Sequence, residues 1–367
     1  MNTMSGRGRL LGAIAIGLVG TTLARGDTNW LNKVKVSTDA RVRLQITDEE
    51  GKESRQRWRF RGRLGLEGTV NEQVKANIRL VTNLGDPISD NQTMDNAFDD
   101  KNASFDRVFF TYTPVDPLSI RAGKMSQPWI AVDDLVFSAD LNPEGVAANV
   151  KLGSDGPELL LHGGAFVIDE RSSDDETMMI SGQAAAKFAL GKKDYILFGA
   201  SMFAYDNVEG YALQGPDATK SGGNSTVEVA GDEGETSLMY ATEYAVMEGF
   251  FQAALDVGLP LKLSAQYIVN TDADDADTGY LFSGSLKLSK VLELGYQYRY
   301  LEKDCTLGLF AENTDFGNGT NVKGHIPYVK YQISKNFDAK VQYAMGQKGV
   351  DDGKDVDVFK FDVACSF

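Results

Sequence analysis

From residue 34 onward the chain alternates apolar and polar side chains with a period of two, interrupted at intervals by turn-forming residues. Val34, Val36, Ala40, Val42, Leu44 and Ile46 are interleaved with Lys35, Ser37, Asp39, Arg41, Arg43 and Gln45. Trp58, Phe60, Leu64, Leu66 and Val70 are interleaved with Arg57, Arg59, Arg61, Arg63, Glu67 and Thr69. The same pattern returns late in the chain, where Leu292, Leu294, Tyr296, Tyr298 and Tyr300 alternate with Glu293, Gln297 and Arg299. It closes with odd positions from Phe359 to Phe367 apolar and Val358, Lys360, Asp362, Ala364 and Ser366 on the other face. Such alternation predicts β-strands with one dry and one wet face.

The connections are of two kinds. Tight ones fall at 71–73, 114–117, 154–157, 191–194, 258–260, 289–290 and 334–336, all rich in turn formers. Long ones fall at 48–54, 83–103, 125–144, 169–177, 206–236, 271–278, 302–323 and 346–355. Long and short alternate strictly, so eight long and seven short connections join 16 strands with both ends of the chain on the short-turn side. An antiparallel transmembrane β-barrel has this layout, with short periplasmic turns and longer extracellular loops. A soluble sandwich also has a dry and a wet face, but it has no need of loops that are long at one end only. Two regions fit less cleanly. Residues 237–258 are long for one strand and change phase near Met247, which predicts a bulge or an extension beyond the membrane, and Leu307, Leu309 and Phe310 predict a short helix within 302–323.

Residues 1–24 read as an export leader: Arg7 and Arg9, an apolar run from Leu10 to Gly20, and the small-x-small site Thr22-Leu23-Ala24. Cleavage there leaves 25–367 as one barrel domain. No later segment is apolar for long enough to span a bilayer as a helix, so a membrane-embedded form has to be a closed sheet. Two cysteines, Cys305 and Cys365, fall at opposite ends of such a barrel and read as unpaired.

The formal net charge of −15 is unevenly spread. Each long connection is net acidic, whereas strands and tight turns together are net basic. Acidic outer loops suit divalent cations and a lipopolysaccharide surface. Arg41, Arg43, Arg57, Arg59, Arg61, Arg63, Arg79, Arg107 and Arg121 occupy the polar faces of the first strands, together with Lys75. Facing lipid at mid-depth each would cost about 2–4 kcal/mol, so they belong to the lumen. There they either line a water-filled path or satisfy a neighbouring wall of carboxylates.

The third long connection, 125–144, is unusually apolar, with Pro128, Trp129, Ile130, Val132, Leu135, Val136 and Phe137 around Asp133, Asp134 and Asp140. This predicts a loop that folds into the barrel and sets its constriction, with those three acids opposite the arginine wall. Packing at a subunit interface or over the rim is the alternative.

The segments Arg55 to Glu67, Leu80 to Pro87, Gly123 to Met125, Ser138 to Gly145 and Asn270 to Asp275 occur in an order that resembles the "putative porin" family of Gram-negative outer membranes. The resemblance spans nearly all of 25–367 and implies a passive 16-stranded porin, without implying a particular solute. The third loop of such porins folds inward, a homotrimer is their habit, and the C-terminal aromatic, here Phe367, resembles the signal read by the barrel-assembly machinery.

Other chemistries find little support. Only His162 and His325 could act as histidine bases, and neither lies beside a serine or acid at a recognisable spacing, so no enzyme is expected. Asp272, Asp274 and Asp277 resemble the start of a calcium loop but lack its central glycine and later glutamate, with Ser283 where that glutamate would stand. No cofactor motif, phosphate loop, haem-attachment motif or nucleic-acid footprint is present. The expectation is an outer-membrane channel for small hydrophilic solutes. The alternatives are a plugged scaffold that binds a partner such as a cytochrome through its loops, and a channel specific for anions.

Overall fold

A computed structural model describes residues 33–83, 85–153, 156–172, 174–212, 221–230 and 236–367. The expected leader, 1–24, lies outside these residues. The strands in chain order are β1 (Val34–Glu49), β2 (Arg55–Thr69), β3 (Val74–Thr82), β4 (Gln92–Thr93), β5 (Ala103–Val115), β6 (Leu118–Lys124) and β7 (Glu144–Leu152). Then come β8 (Glu158–Asp169), β9 (Thr177–Ala189), β10 (Tyr195–Asp206), β11 (Thr226–Ala230), β12 (Thr236–Tyr240) and β13 (Ala245–Asp256). The last are β14 (Pro260–Asn270), β15 (Thr278–Lys287), β16 (Leu292–Leu301), β17 (Val322–Ser334), β18 (Phe337–Lys348) and β19 (Lys354–Ser366).

Without the two-residue β4 and the separate β11–β12 hairpin, 16 strands pair antiparallel with their sequence neighbours in one sheet. The ring closes where β19 pairs with β1, from Asp39 opposite Ser366 to Glu49 opposite Val356. Closure satisfies every edge, which a bilayer demands. The side-chain alternation sets which face goes where. Val36, Trp58, Phe110, Ile180, Tyr267 and Phe282 stand exposed on the outer surface, while Arg43, Gln183, Ser264, Gln266 and Arg299 are buried on the inner one.

The buried apolar core therefore lies inside the barrel, where loops pack against the wall. Ile88, Trp129, Leu135, Phe137, Phe310 and Phe316 from three long loops meet Phe166, Phe203, Ile268 and Leu281 from the strands.

Of the two less regular regions, the first takes one of its expected forms and the second does not. The phase change in 237–258 reflects an extension: Thr236–Tyr240 pairs with Thr226–Ala230 as a hairpin above the barrel, and the spanning strand begins at Ala245. No helix forms at Leu307, Leu309 and Phe310, where 302–321 is a chain of turns. Their apolar side chains are drawn instead into the core that the loops share: Leu307 and Phe310 are buried in it and Leu309 packs against it.

Candidate functional site: the lumen and its infolded loops

The arginines share one inner face because they sit on alternate positions of adjacent strands, and the register brings like charges together. Arg41 lies opposite Arg61 and Arg43 opposite Arg59. Such pairs repel unless acids intervene. Arg43 forms a two-pronged pair with Asp362 of β19 at 2.6 and 2.8 Å, across the seam that closes the ring. Arg61 binds Asp39 at 2.7 Å. Arg63 reaches Asp90 of the 83–102 loop and Asp140 of the 125–143 loop, both at 2.5 Å.

A β-bulge supplies the next acid. The register between β3 and β5 shifts at Arg79, so that consecutive Asp106 and Arg107 are both withdrawn from the outer surface. Asp106 pairs with Arg79 there. Arg41 and Arg107 donate instead to neutral acceptors, Asn91 Oδ1 and Asn142 Oδ1, each at 2.7 Å. Arg59 donates to the Asn91 carbonyl at 3.0 Å. Among the described residues, Arg57 and Arg121 have no ion-pair partner. The wall thus divides into a neutralised belt of Arg43, Arg61, Arg63 and Arg79 and a set of arginines that keep an uncompensated charge.

The 125–143 loop runs along the opposite inner wall. The Ile130 amide donates to Gln183 Oε1 at 2.8 Å, and Gln183 Nε2 donates back to the Ile130 carbonyl at 2.9 Å. Trp129 lies 4.8 Å from Phe137, 5.2 Å from Phe203 and 5.6 Å from Phe166, measured between ring centroids. Further on, Asp133 accepts from Ser283 at 2.6 Å and from Gln297 at 2.9 Å, and Asp134 pairs with Arg299. Arg299 is on β16, half-way around the ring from β6, where the loop starts. The loop therefore crosses the lumen.

This corrects the expected placement of its acids. Asp133 and Asp134 are committed to β15 and β16 and offer no free carboxylate to the arginine wall, whereas Asp140 returns to Arg63. The middle of a loop that spans the barrel ends at the far wall, and a carboxylate buried there requires a local cation. Arg299 is that cation. In the sequence it shows only as one polar position in the alternation of β16.

A second infolded segment locks onto the first. Ser138 is fully enclosed; its amide donates to the Phe310 carbonyl at 2.8 Å, and its hydroxyl lies 3.0 Å from Glu312 Oε2 and 3.3 Å from the Ile88 carbonyl. Three loops meet at this residue. Asp315 of the 302–321 loop pairs with Lys360 of β19 at 2.7 Å and accepts from Gln342 at 2.7 Å. The same loop touches 221–223 backbone to backbone. A Cβ on Gly222, at φ +69°, would lie 2.7 Å from the Gly308 carbonyl carbon, so the contact requires glycine.

Burial pushes the Asp140 carboxyl up, but Arg63 and Arg61 outweigh it and hold it below the usual carboxylate range. Burial is likewise outweighed at Asp315, by Lys360 and Arg299. At Asp90 burial wins, and the carboxyl is raised despite Arg63.

His162 meets Ser181 Oγ at 2.7 Å through Nε2, and Asn149 Nδ2 approaches its Nδ1 at 3.4 Å. His162 and Ser181 are buried, and Trp129 packs edge-on against the imidazole. His325 is on the outer surface, hydrogen bonded to Tyr296 at 2.6 Å. Asp272, Asp274 and Asp277 do not converge: among the described residues no group of three or more His, Cys, Asp or Glu side chains is assembled for a metal ion. Cys305 and Cys365 are both unpaired.

Known proteins place this architecture. No curated protein matches the sequence. The fold is similar to that of OmpF from Salmonella typhi, solved in complex with daunomycin, with a TM-score of 0.57 at 10% identity over 91% of this chain and 97% of that one. It is similar to OprB from Pseudomonas putida, with a TM-score of 0.57 at 10% identity over 93% and 96% of the two chains. OmpT, an outer membrane protein of Vibrio cholerae solved in a trimer form, gives 0.52 at 11% identity over 91% and 99%. A family model described as "Putative porin" matches residues 26–230, more than half of the chain. The protein belongs to that porin family and is a channel-forming β-barrel of the bacterial outer membrane.

Proposed function

We propose that small hydrophilic solutes and ions diffuse passively along the arginine side of the lumen, with the 125–143 loop as the constriction. The observation that carries this reading is the division of the inner wall. Trp129, Leu135 and Phe137 make the contact of that loop with β8 to β10 dry, whereas the face of β1 to β6 is polar, charged and indented. A cavity of about 320 Å³ near the short turns is lined by Lys35, Asn77, Arg107, Thr111 and Arg121. Two larger ones, about 750 and 570 Å³, lie toward the long loops. The uncompensated arginines, Arg41, Arg57, Arg59, Arg107 and Arg121, carry the selectivity in this reading, because the remaining arginines of the wall are neutralised by Asp39, Asp90, Asp106, Asp140 and Asp362.

The long loops face the cell exterior, where their acids meet lipopolysaccharide and divalent cations. The barrel-assembly machinery inserts the chain, and three copies associate as the trimer form of OmpT does. Planar-bilayer recording of the folded barrel tests the channel reading. Stepwise conductance that grows with salt is expected.

The interlock at Ser138 favours a second reading. Three loops that share one apolar core and several buried ion pairs make a rigid insert, and a barrel closed by it would act as a scaffold that binds a partner, such as a cytochrome, through its outer loops. A fully folded barrel without conductance would support the scaffold.

A further inference from the structure

The two cavities toward the long loops differ in charge. The larger is acidic, with Asp86, Asp90, Asp106, Asp140 and Glu144 in its lining. The smaller, about 570 Å³, is lined by Arg57, Arg59 and Lys348 with the neutral side chains of Gln45, Thr47 and Asn313. Its volume falls within the ~300–1,000 Å³ of small-molecule sites.

Arg57 and Arg59 stand two residues apart on one strand, so their stems leave the same face about 7 Å apart. Neither has a carboxylate partner among the described residues, in contrast to Arg43, Arg61, Arg63 and Arg79 on the same wall. The Nε atoms of both are buried without an acceptor. Arg59 is only 9% exposed; its Nη2 donates to the Asn91 carbonyl at 3.0 Å and to Ser89 Oγ at 3.4 Å, and its Nη1 to Gln45 Oε1 at 3.5 Å, all neutral oxygens. The carboxylate of this cavity, Asp86, accepts from the Ile88 amide at 3.0 Å and forms no ion pair with either arginine. Burial also pushes the Asp86 carboxyl upward, which weakens its claim on them. Buried guanidinium donors without acceptors are costly unless an acceptor arrives, and the planar fork of arginine matches carboxylate and phosphate oxygens.

The geometry points to an oxyanion site in this cavity: Arg57 and Arg59 hold the carboxylate or phosphate group of a small solute at the long-loop end, above the neutralised belt. The site deepens the channel reading, which supplies the route by which the solute arrives and leaves, but binding itself does not require conduction.

The test uses the whole folded barrel in two measurements. In planar bilayers, succinate and inorganic phosphate are added at fixed ionic strength, with glucose as the neutral probe. Saturable block of the current by one or both anions, and none by glucose, is expected. Block by succinate alone assigns the site to carboxylates, and block by phosphate alone assigns it to phosphorylated solutes. In the Arg57→Gln, Arg59→Gln double variant the half-blocking concentration should rise about ten- to hundredfold, as expected for loss of charge-assisted hydrogen bonds. Lys290→Gln, in a short turn at the other end of the barrel, should leave the block unchanged. Calorimetric titration of the detergent-solubilised barrel with the same anions separates the two readings. Heat of binding that is abolished by the double variant upholds the site even where no current flows, in which case only the channel reading fails. Equal block or equal heat in wild type and a folded double variant, or block by glucose equal to that by the anions, overturns the site.

Discussion

The inner walls of β1 to β6 and of β8 to β14 follow one alternation rule but hold the infolded loops by different means. On the first, Arg63 ties the wall to two loops at once through Asp90 and Asp140. On the second, amides and hydroxyls do the same work. Gln183 brackets the Ile130 peptide, Gln252 donates to the Val132 carbonyl at 3.3 Å, and the buried acid Glu248 is satisfied by Ser201 at 2.6 Å and Gln266 at 2.7 Å, with no ion-pair partner among the described residues. The neutral wall can be packed dry under Trp129. The charged wall has to place acids, neutral oxygens or solvent beside its guanidiniums. A closed barrel dictates only that side chains point inward; which of them are ionic decides where water remains and therefore where a solute can pass.

If that contrast is sound, removing one anchor should hurt the charged wall more. Arg63→Ala leaves Asp90, which is 2% exposed, with Arg79 at 4.0 Å as its remaining ion-pair partner among the described residues and takes from Asp140 the cation bonded to it, and should lower stability by about 3–5 kcal/mol. Gln183→Ala on the neutral wall leaves two peptide groups short of a partner and should cost about 1–3 kcal/mol. Denaturant unfolding in micelles, followed by the heat-modifiable shift of the folded barrel, gives both values. Equal losses would mean that the two walls hold their loops in the same way.

The same contrast explains what could be read from the sequence. Period-two alternation and the strict succession of long and short connections give the strand count, the closure and the inward-facing arginines, because each is a local property of a strand. The inward course of 125–143 is legible from its apolarity. Its landing site is not. Arg299 and Lys360 look like ordinary polar positions of their strands, and Ser138, Glu312 and Asp315 look like ordinary loop residues, until the folded chain brings residues some 165 apart into contact, as it does for Asp134 and Arg299. The expected helix at 307–310 fails for the same reason, since its apolar side chains answer to a core supplied by other loops. The bulge that withdraws Asp106 beside Arg107 is equally hidden, because a one-residue register shift leaves no compositional trace.

The pair of Asp134 with Arg299 of β16 is an ionic anchor beyond the neutral wall, where the same loop ends its crossing of the lumen. Asp134→Leu or Arg299→Met alone leaves one charge stranded beside the loop and should be clearly destabilising. The double variant removes both charges and should recover much of the loss, with a coupling of about 1.5–3 kcal/mol. The recovered barrel should also show larger fluctuations in single-channel current, because the tip of the crossing loop is then held by hydrogen bonds alone, those of Asp133 with Ser283 and Gln297 and of Val132 with Gln252. Additive losses in the double-mutant cycle would show that this pair is no anchor.

The smallest expected effect is one of pH, and its sign separates the ionic from the neutral anchoring. The carboxyls of Asp140 and Asp315 are lower in the folded protein than in the unfolded chain, where an aspartate titrates near about 3.9. The unfolded state therefore binds more protons over the interval between the two values. The stability these residues contribute is complete above the unfolded value and is lost as the pH falls through the folded one. Asp90 acts in the opposite sense, because burial raises it and its protonation favours the folded state. Asp140→Asn isolates the first contribution. As the pH falls below the unfolded value the wild-type barrel should lose more stability than the variant in denaturant unfolding, and above that value the two should run in parallel. Gln183→Ala should follow the wild-type pH slope, since it removes no charge. If Asp140→Asn and wild type fall in parallel, the ion pair with Arg63 holds the loop no more tightly than the amide contacts of the opposite wall, and the distinction between the two walls is then one of hydration alone.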